Sequence, residues 1–421
     1  MEMVMQGKKF RKFSKKDICT EVKILILTQY YPPETGAPQN RLSSLAYHLK
    51  SFGNAVEVMT AMPNYPKYEI FEGYKGKRFY QDSHEGIPVF RSAIYVTRKK
   101  ALAYRLLNYL SFAWSAYFSA KKYCSRPDIL LCESPPLFLG ITALKLKKYW
   151  GCKMVFNVSD LWPESAEKMG LVKNRLVLKS AHSLAGMLYR KADMISGQTQ
   201  GIVAAIQNLE KDKKILWMPN GIDASRFSFS PDNNRTGEQA FRLLYAGILG
   251  HAQGLEVILA AASLLKEDGS FHFYIIGDGP QKAMLLQLKQ TLDLDNVSFI
   301  DNQPADKIAD WLQRCDAYIV PLRKLELFKG AIPSKLFEPL YFAKPILLGV
   351  DGEARQLFIE EAKAGLYNEP ENAADLAENI RFLAENREQA RILGQNGKAY
   401  VERHFQRKSI AEKFNRAIQE L

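Results

Sequence analysis

The sequence predicts an α/β protein made of two doubly wound domains in tandem. Three observations carry this expectation. From Lys23 onward, short apolar runs alternate with longer helical patterns, which implies parallel sheet with helices on both faces. A second series of such runs begins after a polar, turn-rich stretch, SPDNNRTGEQ (230–239). The chain has 421 residues, more than one ordinary core organises.

Taken in order, residues 1–22 read as a loose basic arm with Lys8, Lys9, Arg11, Lys12, Lys15 and Lys16. They lack the apolar core of a signal peptide. The first series of strands is KILILT (23–28), AVEVMT (55–60), VFRSAIYV (89–96), DILLCE (128–133), KMVFNV (153–158), DMIS (193–196) and KILWMP (214–219). The second series is RLLYAG (242–247), FHFYIIG (271–277), VSFID (297–301), AYIVPL (317–322) and PILLGV (345–350). Residues 384–421 read as helical and charge-laced. The expected domains are 23–228, joined by a terminal helix at about 404–421, and 229–403. In such sheets ligands sit outside the carboxyl ends of the strands, so two facing domains place a site in the cleft between them.

Composition narrows the function classes. Hydrophobic content of 47% and charged content of 24% are ordinary for a globular chain. The net charge of +13 points to anionic partners: phosphates, a membrane surface or nucleic acid. Nucleic acid is set aside, because no recognition helix or RNP-like aromatic set is present. The five cysteines are scattered without a CxxC, which argues against a disulfide scaffold or a zinc site. No segment reaches the roughly 18 unbroken apolar residues that span a bilayer.

Residues 321–350 carry the strongest chemical signal. A buried strand (Ala317 to Leu322) runs into a basic loop, and Pro333 and Ser334 then open a short helix. Free N–H groups of a first helical turn suit an anion, and Lys335 adds a cation there. With Ser334 as N-cap, Glu338 falls one place too late to close a capping box. It can instead accept hydrogen bonds from a ligand diol. Diphosphate donors, a cation and a diol acceptor together suit a nucleotide diphosphate sugar. A capped surface helix with a solvated Glu is the plainer alternative.

In NVSDLWPESAEKMG (157–170), Asp160 and Glu164 follow a strand end and face the expected cleft, with Trp162 as a platform for a sugar face. A strand-exit turn whose Asp caps a helix is the alternative for Asp160. QYYPPETGAPQNRL follows the first strand without a GxGxxG fingerprint. GDGP (277–280) is a glycine turn entering a helix. Residues 86–127 hold no Asp or Glu but hold Arg91, Arg98, Lys99, Lys100, Arg105, Lys121, Lys122 and Arg126. The aromatic helix between the basic clusters, with Tyr109, Phe112, Trp114 and Tyr117, reads as an anchor at an anionic membrane surface. A core helix with basic flanks is the alternative.

These motifs together resemble the GT-B glycosyltransferases of family 4, and among them bacterial lipopolysaccharide and capsule enzymes that transfer fucosamine-like amino sugars. The resemblance runs from Val22 to the C-terminus. It rests on QYYPPETGAPQNRL, DLWPES, the PNGID of 219–223, LLYAGILGHAQGLEVILAA, GDGP and IPSKLFEPLYFAKPIL. It implies a UDP-sugar donor held by the C-terminal domain, an acceptor held by the N-terminal domain, retention of configuration and no metal. It also implies a final helix that crosses back onto the first domain. Two departures stand out. Of the family's paired glutamates the second matches Glu338, but the first position holds Gly330. In the loop GILGHAQG, Gln253 stands where the family's phosphate-binding Lys would be.

The resulting expectation is a metal-independent, retaining glycosyltransferase without cofactor. It would move a 6-deoxy or N-acetylated amino hexose from UDP to a polyprenyl-diphosphate-linked saccharide at the cytoplasmic membrane face, in O-antigen or capsule synthesis. Lys335 would stabilise the diphosphate, backed by Arg323 and Lys329, with Ser334, Gly247, Gln253, Gly277, Gly279 and Gly330 around the donor. Asp160 would meet the acceptor hydroxyl, with Thr35, Gly36, Trp162 and Glu164 on the acceptor side. The alternatives are a GT-B sugar-nucleotide epimerase, for which no histidine pair is seen, and a non-catalytic membrane-docked subunit of a polysaccharide assembly complex.

Overall fold

The computed structural model describes residues 21–99, 101–168, 172, 174–224, 227 and 240–421. The first twenty residues of the expected basic arm, the stretch 230–239 and the expected boundary at 228/229 lie outside the described residues.

The first domain is built on an eight-stranded sheet. Its strands are β1 (Lys23–Leu27), β2 (Ala55–Ala61), β3 (Phe79–His84), β4 (Ile87–Ser92), β5 (Ile129–Ser134), β6 (Lys153–Val158), β7 (Met194–Gly197) and β8 (Ile215–Trp217). The order is β3-β4-β2-β1-β5-β6-β7-β8. β1, β5 and β6 are near-continuous apolar runs because both of their faces are buried. The sheet is parallel except at one edge, where β3 pairs antiparallel with β4. That edge corrects the expected strand 89–96, which runs instead over Ile87–Ser92 with an unforeseen partner. β3 reads FYQDSH, too polar to stand out, as an exposed edge strand permits. Glu85 and Gly86, both with positive φ, make the two-residue turn between them.

The second domain carries a six-stranded sheet. Its strands are β9 (Phe241–Ala246), β10 (Phe271–Ile276), β11 (Val297–Ile300), β12 (Ala317–Pro321), β13 (Ile346–Gly349) and β14 (Gly365–Tyr367). The order is β11-β10-β9-β12-β13-β14, and the pairs are parallel. β14, three residues long, is too short to register in the sequence pattern.

Each sheet is covered on both faces. On the first, α1 (Ala37–Ser51) and the final helix Arg407–Gln419 bury Leu42, Leu45, Ile410, Phe414 and Ile418 against one side. On the other side lie α2 (Leu102–Tyr123) and α3 (Leu139–Trp150). The last helix therefore does cross back onto the first domain. The two chain crossings between domains are hydrogen-bonded to each other. Ile222 N–H donates to the Phe405 carbonyl (2.8 Å), and Arg407 N–H donates to the Ile222 carbonyl (2.9 Å). This explains the glycine of PNGID: a Cβ at Gly221 would lie 2.2 Å from the Phe405 carbonyl oxygen.

Strand order reverses once in each sheet, between β1 and β5 in the first and between β9 and β12 in the second. Crevices of doubly wound sheets open at such switch points.

Candidate functional site

At the second switch point, β9 ends in Ala246 and leads to Gly247, while β10 ends at Ile276 and leads to Gly277. The loops touch there. Gly277 has φ +147, and a Cβ on it would lie 2.0 Å from the Gly247 carbonyl oxygen. Only glycine lets backbone approach this closely. Lys335 rises beside this pair, with its Nζ 3.4 Å from where a Cβ of Gly247 would sit.

The Lys335 amine donates to the Tyr245 phenol oxygen (2.8 Å) and to Oε1 of Gln253. It also stands over the Tyr245 ring, 4.3 Å from its centroid. Tyr245 in turn donates to the Ile248 carbonyl (2.8 Å). Both side-chain partners of the lysine are neutral. Burial without a counter-charge lowers its pKa to about 7. Gln253 thus orients a cation supplied from another element.

Glu338 occupies the first turn of the five-residue helix Phe337–Tyr341. Burial raises its pKa, partly offset by the nearby Arg407 charge. Ser334 does not cap this helix as expected. It opens a 3-10 turn, Ser334–Leu336, flanked by Pro333, and makes no side-chain cap bond. The proline fixes the entry to this turn, and Ser334 is exposed. Arg323 and Lys329 are already engaged. Arg323 donates to Glu256 (2.7 Å), to Glu371 (2.8 Å) and to the His251 carbonyl (2.9 Å), so it braces the Gln253 loop. Lys329 pairs with Glu326 (2.8 Å).

At the first switch point a different arrangement appears, and sequence reasoning missed it. Arg41 of α1 reaches Glu133 at the end of β5 (2.5 Å) and the Ser159 hydroxyl after β6 (2.7 Å). Asn157 and Ser159 also donate to Glu133, and Arg41 reaches Asn220 (3.3 Å). Arg41 is 6% and Glu133 2% exposed. The available signal was a lone charge closing the apolar run ILLCES. Glu34 is buried nearby and accepts from the backbone N–H groups of Asn64 (2.7 Å) and Tyr65 (2.8 Å).

The expected acceptor-side residues separate. Asp160 accepts a hydrogen bond from the Ser165 hydroxyl, and burial raises its pKa against that bond. Glu164 faces His182 (3.4 Å) and keeps a buried oxygen, Oε2, without a partner. Trp162 packs on Ala166, Val172 and Leu178. Thr35 is exposed, and Gly36 precedes α1. Among the described residues no hydrogen bond or ion pair joins Asp160 to Lys335 or Glu338.

Gly330 lies at the domain junction, in an open cavity of about 620 Å³ with Gln200, Gly201, Lys329 and Glu353. A Cβ on Gly330 would meet nothing within 4 Å. Glu353 reaches across the junction and accepts from the backbone N–H groups of Gln200 (2.7 Å) and Gly201 (2.8 Å). Those two residues begin the helix Gln200–Leu209 of the first domain.

The residues expected to anchor at a membrane differ in exposure. Phe112 is fully buried, and Tyr109 and Tyr117 are half-buried. Helical spacing sends Phe112, Ala116 and Ala120 inward and Leu107, Leu110, Trp114 and Phe118 outward. Arg91 is buried against Asp82 (3.0 Å), Arg98 pairs with Glu69 (2.5 Å), and Lys100 lies outside the described residues. No described helix is long and apolar enough to cross a membrane. Among the described residues no cluster of three or more His, Cys, Asp or Glu could hold a metal ion.

Residues 227–400 match the family of glycosyl transferases group 1. Over 419 aligned residues the chain is 25% identical to WcaI of Escherichia coli K12, whose name assigns it to colanic acid biosynthesis as a glycosyl transferase. That alignment covers 93% of this chain and 98% of WcaI. Sucrose-phosphate synthase from Thermosynechococcus elongatus superposes with a TM-score of 0.74 at 16% identity, over 94% of this chain and 98% of that one. HepE from Anabaena, in complex with UDP and glucose, superposes with a TM-score of 0.70 at 17% identity, over 95% and 100% of the two chains. The architecture is the two-domain GT-B fold.

Proposed function

We propose that this protein is a metal-independent, retaining glycosyltransferase. It moves a 6-deoxy or N-acetylated amino hexose from UDP to a lipid-linked saccharide in cell-surface polysaccharide synthesis. It works at the cytoplasmic face of the membrane, on a polyprenyl-diphosphate-linked acceptor.

One observation carries this reading. Lys335 is a cation held at a switch point by neutral described partners, beside glycine loops that pack backbone to backbone. A diphosphate supplies the missing counter-charge. The group 1 match over the same domain supports it, as does the UDP held by HepE in its complex.

In the transfer, the acceptor hydroxyl oxygen bonds to the anomeric carbon while the bond from that carbon to the diphosphate oxygen breaks. The leaving diphosphate takes the hydroxyl proton. Lys335 and the backbone around Ser334, Gly247, Gly277 and Gly279 balance the charge growing on the diphosphate, the electrostatic term that dominates such chemistry. Glu338 accepts from the ribose diol, and Gln253 keeps the lysine aimed. Asp160 contacts the acceptor hydroxyl, with Thr35, Gly36, Trp162 and Glu164 lining the acceptor side.

The test is a panel of UDP-sugars scored by thermal protection, followed by calorimetry on Glu338→Ala. Loss of a charge-assisted hydrogen bond, about 1.5–3 kcal/mol, should weaken UDP at least tenfold. Unchanged affinity would remove Glu338 from the site. Transfer should survive EDTA; complete loss, restored by Mn²⁺, would overturn the metal-independent mechanism.

A further inference from the structure

The layer formed by α2 and α3 has no part in the chemistry above. Neither helix contains an Asp or Glu, and together they carry Arg105, Lys121, Lys122, Lys145, Lys147 and Lys148. The acid-free stretch that includes α2 is followed, after Asp128 and Glu133, by a second one over 134–159. The fold brings the two side by side.

Between the helices runs an open groove of about 930 Å³. Its walls include Leu110, Trp114, Phe118, Phe138, Ile141 and Tyr149. Trp114 is 67%, Phe118 51% and Tyr149 54% exposed. The Trp114 and Phe118 rings lie 5.1 Å apart, so these are one patch and not scattered surface residues. The Thr142 hydroxyl donates to the Ala113 carbonyl (2.7 Å), which satisfies both groups internally. Lys145 and Lys148 line the groove and Lys121 stands at its rim. None of the three forms an ion pair with a described residue. Lys121 stands over the rings of Tyr149 (4.1 Å) and Tyr117 (5.2 Å), which holds its charge beside the aromatic patch.

An apolar trough with aromatic walls and a rim of unpaired lysines matches one chemistry: a hydrocarbon chain attached to an anionic phosphate headgroup. We propose that the α2–α3 groove seats an acyl chain of an anionic phospholipid and that these two helices form the protein's footing on the bilayer. This rests on the membrane placement of the acceptor proposed above. It moves the docking surface from the basic clusters of 86–127 to a two-helix face.

The test uses full-length protein and vesicles of phosphatidylglycerol with brominated acyl chains. Bromine should quench tryptophan emission in the wild type, and the quenching should be largely lost in Trp114→Phe. Changing Lys121, Lys145 and Lys148 together to Gln should lower vesicle affinity by about a hundredfold, at roughly fivefold per lysine. The matching triple Arg variant should restore it, which excludes misfolding as the cause. Equal quenching in Trp114→Phe, or equal binding to phosphatidylcholine, would overturn the proposal. So would quenching relieved by polyprenyl phosphate at low mole fraction, which would assign the groove to an isoprenoid chain. UDP binding by calorimetry separates the two readings. Vesicle binding without UDP binding would sink the transferase reading alone, and UDP binding without vesicle quenching would sink this one alone.

Discussion

At the first switch point the guanidinium of Arg41 meets the carboxylate of Glu133, and asparagine and serine side chains add hydrogen bonds, although Arg41 Nε is left without a partner. At the second, the ammonium of Lys335 meets a phenol and an amide. Both charges sit at a topological switch point, Arg41 buried and Lys335 half-buried, yet among the described residues only Arg41 has a counter-charge. A buried pair with its counter-charge in contact is a structural unit, since attraction offsets desolvation. A cation among neutral partners is an unfinished pair, and burial lowers its pKa. The contrast separates a paired charge inside the first domain from a cation in the second that has only neutral described partners.

The largest effect should come from breaking the complete pair. Glu133→Ala leaves Arg41 buried and uncompensated, a change that typically costs about 3–5 kcal/mol. Urea unfolding should show that loss, while whatever protein stays folded should bind UDP-glucose within about twofold of wild type. A loss below about 1 kcal/mol would mean that water reaches the pair and that the first edge is not sealed.

Lys335→Met should do the reverse. Turnover should fall by about 10²–10³, as when one preorganised charge is removed from a transition state. Stability should hold or rise, because a buried, unpaired cation is removed. The sign of the pH dependence follows from the lowered pKa. Folding disfavours the charged amine, so the folding cost is full below about pH 7 and fades as pH rises toward the ordinary lysine value. Binding runs the other way. A diphosphate favours the charged amine, so UDP-glucose affinity should be flat below about pH 7 and decline above it, with proton uptake on binding. Calorimetry in buffers of different ionisation enthalpy counts that proton, and none should be taken up by Lys335→Met.

How legible was this contrast in the sequence? Lys335 and Glu338 stood out because a strand, a basic loop and a Pro-Ser helix start announce themselves locally. The parallel sheets were legible for a similar reason: strands such as ILLCES and KMVFNV are apolar almost throughout. What stayed hidden was long-range. Arg41 and Glu133 are 92 positions apart, and nothing near either names the other. Tyr245 looks like one more residue of an apolar strand until Lys335 reaches it from 90 positions away. The face of α2 that points outward was misassigned because its acid-free composition has no direction; only packing of Phe112 against the sheet fixes it.

A smaller effect should follow at the domain junction. Glu353 accepts from the first two N–H groups of Gln200–Leu209, so it acts as a cap supplied by the other domain. Removing a cap typically costs about 0.5–2 kcal/mol. Glu353→Ala should therefore speed amide exchange at Gln200 and Gly201 while leaving the Arg41–Glu133 region protected. Exchange that rises equally in both regions would show that the two edges do not behave as separate units.

The smallest effect on stability, and the sharpest on the contrast, should come from adding a charge to the unfinished edge. A side chain at Gly330 would enter open space. It has no positive φ to relieve, so Gly330→Glu should change stability by no more than about 0.5 kcal/mol, as an unstrained surface substitution does. Its consequence should lie in selectivity. The new carboxylate would stand in the cavity shared by Lys329 and Glu353, where it could accept from hydroxyls of a donor sugar. Relative thermal protection by UDP-glucose and UDP-N-acetylglucosamine should shift, while affinity for UDP itself should not, since Lys335 is untouched. A parallel change in UDP affinity would mean that the cavity at Gly330 and the Lys335 site are one electrostatic unit, and the sugar and diphosphate subsites would have to be redrawn as a single pocket.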